Sequence, residues 1–156
     1  ELIGGGRRVI AAQSVMFPIA FTRGNIDDRM LKADDIAGIS DIYGTTEFDS
    51  RSGSISGRVT KNGAGVLGAH VVAFNPRTGK LVGGFSLNEN GDFVIAGLDP
   101  GPQILRAEPL DDGDINSFFD ADTDVDVNFQ VKIHDRVVAV PRGGGANNVE
   151  IRVNPK

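Results

Sequence analysis

From Ser54 to Val153 apolar residues recur at every second position in short runs, whereas from Leu31 to Tyr43 they recur at helical spacing. The first pattern predicts half-buried strands, because successive strand side chains point to opposite faces. Ile55, Gly57 and Val59 alternate with polar residues, and so do the stretches 70–74, 81–87, 93–95 and 104–107, each bounded by Gly, Asn or Pro. Val125, Val127, Phe129, Val131 and Ile133 form a further alternation, followed by strands at 137–140 and 149–153. Asn90-Gly91-Asp92 suits a hairpin turn, and Asp99-Pro100-Gly101-Pro102 a chain reversal. The expected fold is mainly β, a seven- to eight-stranded antiparallel β-sandwich.

The helical pattern predicts an α-helix over about 31–43. Leu31, Ile36, Ile39 and Ile42 or Tyr43 share a face, with Asp34, Asp35 and Asp41 turned away. Asp34 and Asp35 fall in the first turn, where the helix dipole favours negative charge. Gly44 stands where a left-handed C-terminal cap is expected. The stretch 45–53 (TTEFDSRSG) reads as a linker, polar and poor in branched aliphatics. The expected division is a unit at 1–44, a linker at 45–53 and the sandwich at 54–156.

Composition narrows the function. The 156 residues carry a formal net charge of −5 and no basic stripe, which argues against a nucleic-acid partner. No apolar run reaches the length of a membrane span, so none is expected to cross a membrane. Cysteine is absent, which excludes disulfides, thiolate metal sites and Cys nucleophiles. With Gly 21 and Pro 7 the chain is turn-rich, as a β body requires.

Few residues carry candidate chemistry. Asp120, Asp122, Asp124 and Asp126 could supply hard oxygen ligands to calcium, but they lack the glycine and distal Glu of an EF-hand loop. The strand period through Val125 and Val127 instead reads them as one solvated face. The two histidines, His70 and His134, lie in strand-like settings, and no nucleophile motif accompanies them. Gly4–Gly6 and Gly143–Gly145 do not lie between a strand and a helix, so they read as turns rather than phosphate cradles.

Two stretches carry a family resemblance. Ser14-Val15-Met16-Phe17-Pro18, followed by LKADDIAGISDIYG at 31–44, resembles the methionine turn and closing helix of a matrixin-type (metzincin) zinc metalloprotease domain. The resemblance implies that the helix belongs to a truncated α/β metalloprotease domain. It implies that Met16 lies beneath the zinc ligands and that Pro18, Ile19, Ala20 and Phe21 wall the substrate pocket. The family often has Tyr where Ala20 stands. The HExxHxxGxxH zinc motif is missing, so this chain is expected to hold no catalytic zinc and to cleave nothing alone. The parent enzyme would be secreted or extracellular, acting on protein or peptide substrates through zinc-activated water.

The remainder resembles a carboxypeptidase regulatory-like, transthyretin-like domain. The likeness rests on Ser56-Gly57-Arg58-Val59, Gly68-Ala69-His70-Val71, Asn90-Gly91-Asp92-Phe93, Gly97-Leu98-Asp99-Pro100-Gly101 and the VEIRV strand at 149–153. It departs from the compact pattern by an insertion around 111–136. Such domains are usually non-catalytic, which implies a protein or cell-surface partner. The alternative to a protease fragment is therefore a non-enzymatic sandwich module for adhesion or scaffolding.

Overall fold

A computed structural model of the chain describes residues 31–110, 115, 119 and 123–156. Among these, two helices, α1 (Ala33–Tyr43) and α2 (Thr46–Arg51), precede nine strands in two sheets. The first sheet is built on β1 (Gly53–Lys61). This strand pairs antiparallel with β2 (Ala64–Gly65) and β5 (Asp92–Leu98), and parallel with β9 (Gly145–Val153). In the second sheet β3 (His70–Phe74) lies between β4 (Leu81–Phe85) and β6 (Gly101–Glu108). The far edge of β6 pairs with β7 (Lys132–Ile133) at one end and β8 (Val138–Val140) at the other.

The period-two pattern places one face of each sheet in the core. Ile55, Val59, Ile95 and Ile151 from the first sheet meet Val71, Ala73, Leu105 and Ala107 from the second. Each such side chain contributes about 1.5–3 kcal/mol by leaving water. The predicted mainly β sandwich is therefore the observed architecture, with nine strands among the described residues in place of seven or eight and with one ladder, β1–β9, parallel. That ladder is bulged. Ile55 to Gly57 on β1 lies opposite Ala146 to Val149 on β9, and Asn148 takes up the extra residue at φ 61. Gly57 sits so close to the Val149 carbonyl that no side chain would fit there.

Two local expectations are corrected, and the expected linker is found to hold a short helix. The alternation from Val125 to Ile133 forms a strand only at Lys132–Ile133. Ahead of it, Phe129 plunges into the core, while the Asp126 N–H donates to the Leu67 carbonyl and the Gln130 N–H to the Asn154 carbonyl. With its backbone bonded to two separate segments, this stretch has no single neighbour along which to build a ladder. Gly44 is extended, at φ −60 and ψ 148, rather than left-handed. The stretch read as a linker contains α2, capped where the Thr45 hydroxyl accepts the Phe48 N–H at 3.3 Å.

Helix α1 turns its apolar stripe outward. Asp35 and Ala37 are its buried residues, while Leu31, Ile36, Ile39, Ile42 and Tyr43 are exposed. The small face, Ala33 and Ala37, packs on the core cluster. Proximity explains this orientation. The helix backbone approaches β5 so closely that a Cβ on Gly97 would lie 2.7 Å from the Ala37 Cα. An isoleucine has no room in that contact.

Candidate functional site

The polar and apolar features with chemical potential gather where α1 crosses β4 and β5. Gly97, at φ +68, lets β5 turn beneath Ala37. Asp34 ties the other side of the helix down, its Oδ1 accepting the Gly83 N–H at 2.8 Å. Asp35 accepts the Lys32 N–H at 2.9 Å and so closes the first turn. Burial pushes the Asp34 carboxyl above its ordinary value, against the opposing pull of the Gly83 hydrogen bond and the nearby His70.

Beside this junction lies a buried polar pair on the second sheet. His70 Nδ1 is 3.2 Å from Glu108 Oε1, and the same oxygen accepts a hydrogen bond from Arg106 Nη2 at 3.0 Å. The imidazole stacks on Phe85, with centroids 5.1 Å apart, and its Nε2 edge lies against Gly83. Glu108 is thus bridged by two cationic or hydrogen-bonding neighbours. The arrangement holds strands β3, β4 and β6 together, and no serine or threonine hydroxyl is bonded to the imidazole among the described residues.

Under α1 there is also a cavity of about 400 Å³. Leu31, Ala33 and Ile36 line it from the helix side, Phe48 from α2, and Ala73, Asn75, Val82, Leu98 and Gln103 from the strands. Lys80 and Asp99 also line it, bonded to each other at 3.0 Å. Asn75 and Gln103 follow the Phe74–Ile104 pair on facing strands, so both point to the core side of the second sheet, as Ala73 and Leu105 do. The polarity of these two side chains was the sequence signal for the cavity. It was obscured because Asn75 also reads as a turn former before Pro76.

The residues singled out from the sequence divide as follows. Met16, Pro18, Ile19, Ala20 and Phe21 lie outside the described residues, as do Asp120 and Asp122. Asp124 is exposed. Asp126 is ion-paired with Lys61, and its Oδ1 accepts the Asn128 N–H at 3.0 Å, so its carboxylate is already engaged. Among the described residues no three His, Cys, Asp or Glu side chains gather as a metal site would require. Nor is any helix there long and apolar enough to cross a membrane.

No family model matches the chain, and no curated protein matches it. Among solved structures it is similar to the Bacillus anthracis TIE protein, at 14% identity and a TM-score of 0.42, over 67% of this chain and 17% of that one. It is similar as well to a DUF3823 family protein from Parabacteroides merdae, at 16% identity and a TM-score of 0.41, over 68% of this chain and 47% of that one. The chain thus spans less than half the length of either structure.

Proposed function

We propose that this chain is a non-enzymatic β-sandwich module for adhesion or scaffolding, with α1 as its contact element. The observation that carries this reading is the two-sheet sandwich closed around one core, on which the helix is seated. The small and acidic face of the helix is fixed to the sandwich through Ala37 and Asp34, and its large apolar side chains, Ile39, Ile42 and Tyr43, are presented outward. A helix with isoleucines at 44% and 72% exposure and tyrosine at 81% offers apolar surface to another polypeptide. The test is an assay of the purified 156-residue protein against a fluorogenic peptide library, with and without added zinc. No turnover is expected, and zinc-dependent hydrolysis would sink the reading.

The same helix supports a second reading. If the chain is the end of a matrixin-like metalloprotease, Ile39 and Ile42 would pack against the rest of the catalytic domain. Met16 and Pro18 to Phe21 would then floor and wall its pocket. The zinc and the general base would belong to that missing part, in a secreted enzyme, and the carboxypeptidase regulatory-like sandwich would be its accessory. Reading the coding sequence upstream of Glu1 separates the two. An HExxHxxGxxH motif within a few tens of codons supports the protease parent, and an intact reading frame without it rejects that parent.

A further inference from the structure

Strand β9 is the outer edge of the first sheet, and the bonding of β1 shows which of its backbone groups are open. The Val59 N–H donates to the Gly91 carbonyl at 2.9 Å and the Val59 carbonyl accepts the Val66 N–H at 3.0 Å, so Val59 faces the β2 and β5 side. Its neighbours Arg58 and Thr60 therefore turn their backbone bonds toward β9, since successive residues of a strand bond to opposite sides. They stand opposite Glu150 and Arg152. A parallel ladder bonds each residue to the two that flank its opposite number, here Val149, Ile151 and Val153. The N–H and C=O groups of Glu150 and Arg152 thus point away from β1, and no backbone group meets them among the described residues.

This open stretch has defined ends. Asn148, at φ 61, bulges the strand on one side, and on the other the Asn154 carbonyl accepts the Gln130 N–H at 2.8 Å. An unpaired edge is a template for another strand, and proteins that keep one unpaired often line it with lysine. Here the signs are mixed. Glu150 and Arg152 are both exposed, and they share a face, with Arg152 Nη2 2.6 Å from Glu150 Oε2.

We propose that β9 pairs antiparallel with β9 of a second copy of this chain, about a two-fold axis at Ile151. In that register Glu150 stands opposite Arg152 of the other copy, and each such pair exchanges both of its N–H···O=C bonds, so the outward groups are the ones that meet. Each carboxylate also gains a guanidinium across the joint. Sliding one strand by two residues, either way, sets Glu150 against Glu150 or Arg152 against Arg152, so charge selects a single register. The bulge at Asn148 and the engaged Asn154 carbonyl end the ladder on both sides. Ile133 of β7 and Val137 before β8 are exposed, and both strands lie against β9, so apolar surface adjoins the joint. This interface goes beyond the use of α1 as a contact element, because β9 flanks β1 on the opposite side from β5, on which α1 is seated.

Sedimentation equilibrium of the 156-residue protein should show a dimer forming between about 1 μM and about 1 mM, the weak range suited to so short a joint. Glu150→Arg and Arg152→Glu should each weaken it roughly tenfold or more, since each sets like charges opposite. The two single variants mixed together should associate. The double exchange, Glu150→Arg with Arg152→Glu, should restore the dimer, which also shows that the fold tolerates both changes. Hydrogen exchange reads the edge directly: the Glu150 and Arg152 amides should gain protection as concentration rises, while those of Ile151 and Val153 are protected throughout. A protein that stays monomeric to about 1 mM would overturn the proposal. So would a dimer indifferent to the charge reversals, one broken by Ile42→Lys, or one whose Glu150 and Arg152 amides exchange as they do in the monomer.

Discussion

Gly97→Ala should loosen α1 from the sandwich, and its cost can be worked from two separate contributions. Gly97 has φ +68, a left-handed conformation that costs an L-residue about 1–2 kcal/mol. A Cβ there would also lie 2.7 Å from the Ala37 Cα, 2.8 Å from its Cβ and 3.3 Å from its carbonyl oxygen. Two of these three atoms are backbone, so only movement of the helix relieves the clash, and overpacking of this kind costs about 1–3 kcal/mol. The sum is about 2–5 kcal/mol. Gly79→Ala is the control, because Gly79 has nearly the same φ, 73, with nothing within 4 Å of the added Cβ. It should lose only the backbone contribution. Urea denaturation of both variants gives the difference, expected at about 1–3 kcal/mol. Hydrogen exchange locates it: in Gly97→Ala the α1 amides should lose protection while those of β1 keep theirs. Equal destabilisation by the two variants, within about 0.5 kcal/mol, would refute the close helix–strand contact.

Further outcomes follow from single interactions. Ser86 is fully buried, donating to the Val66 carbonyl at 2.6 Å and accepting the Ala69 N–H at 2.8 Å, so Ser86→Ala should cost about 2–4 kcal/mol in chemical denaturation. Ile42→Lys should change stability by no more than about 0.5 kcal/mol, since Ile42 is 72% exposed; a loss of several kcal/mol would show that the outward face is covered. Burial raises the Asp34 carboxyl above 3.8, so its contribution to stability is fully present below that value and is lost as pH rises through the higher folded value. Asp34→Asn keeps an acceptor for the Gly83 N–H without the buried charge. Denaturation midpoints of the two proteins should coincide near pH 3 and diverge in favour of Asn by pH 7; a less stable variant at pH 7 would show that the ionised carboxylate is net favourable.

Much of the sandwich is legible from alternation because one face of each strand is buried. Ile55, Val59 and Phe93 announce β1 and β5 by that rule alone. The Asn62-Gly63 turn between β1 and β2 was equally readable, both residues having positive φ, although the short β2 has too little hydrophobic pattern to be noticed. One run misled, and α1 shows what periodicity leaves open. The run 125–133 alternates like a strand, but only Phe129 among its residues is fully buried, and alternation says nothing about which neighbours the backbone can reach. In α1 the apolar periodicity was real and faced outward. The packed face was chosen by distance, and a helix seated on Gly97 admits alanine but not isoleucine. The polarity of Asn75 and Gln103 is visible in the sequence, but only the tertiary structure shows that each has a side-chain atom left without a hydrogen-bond partner.

The parallel β1–β9 ladder gives the sandwich a mechanical character. Because the two strands run the same way, Gly53 at the start of β1 and Val153 at the end of β9 lie at opposite ends of a joint nine residues long, about 30 Å. Tension drawn through those two points pulls the strands lengthwise past each other. The bonds from Ser54–Gly145 to Lys61–Val153 are then strained together instead of opening one after another. A module loaded in this shearing direction resists force far better than one whose strands are peeled apart from an end.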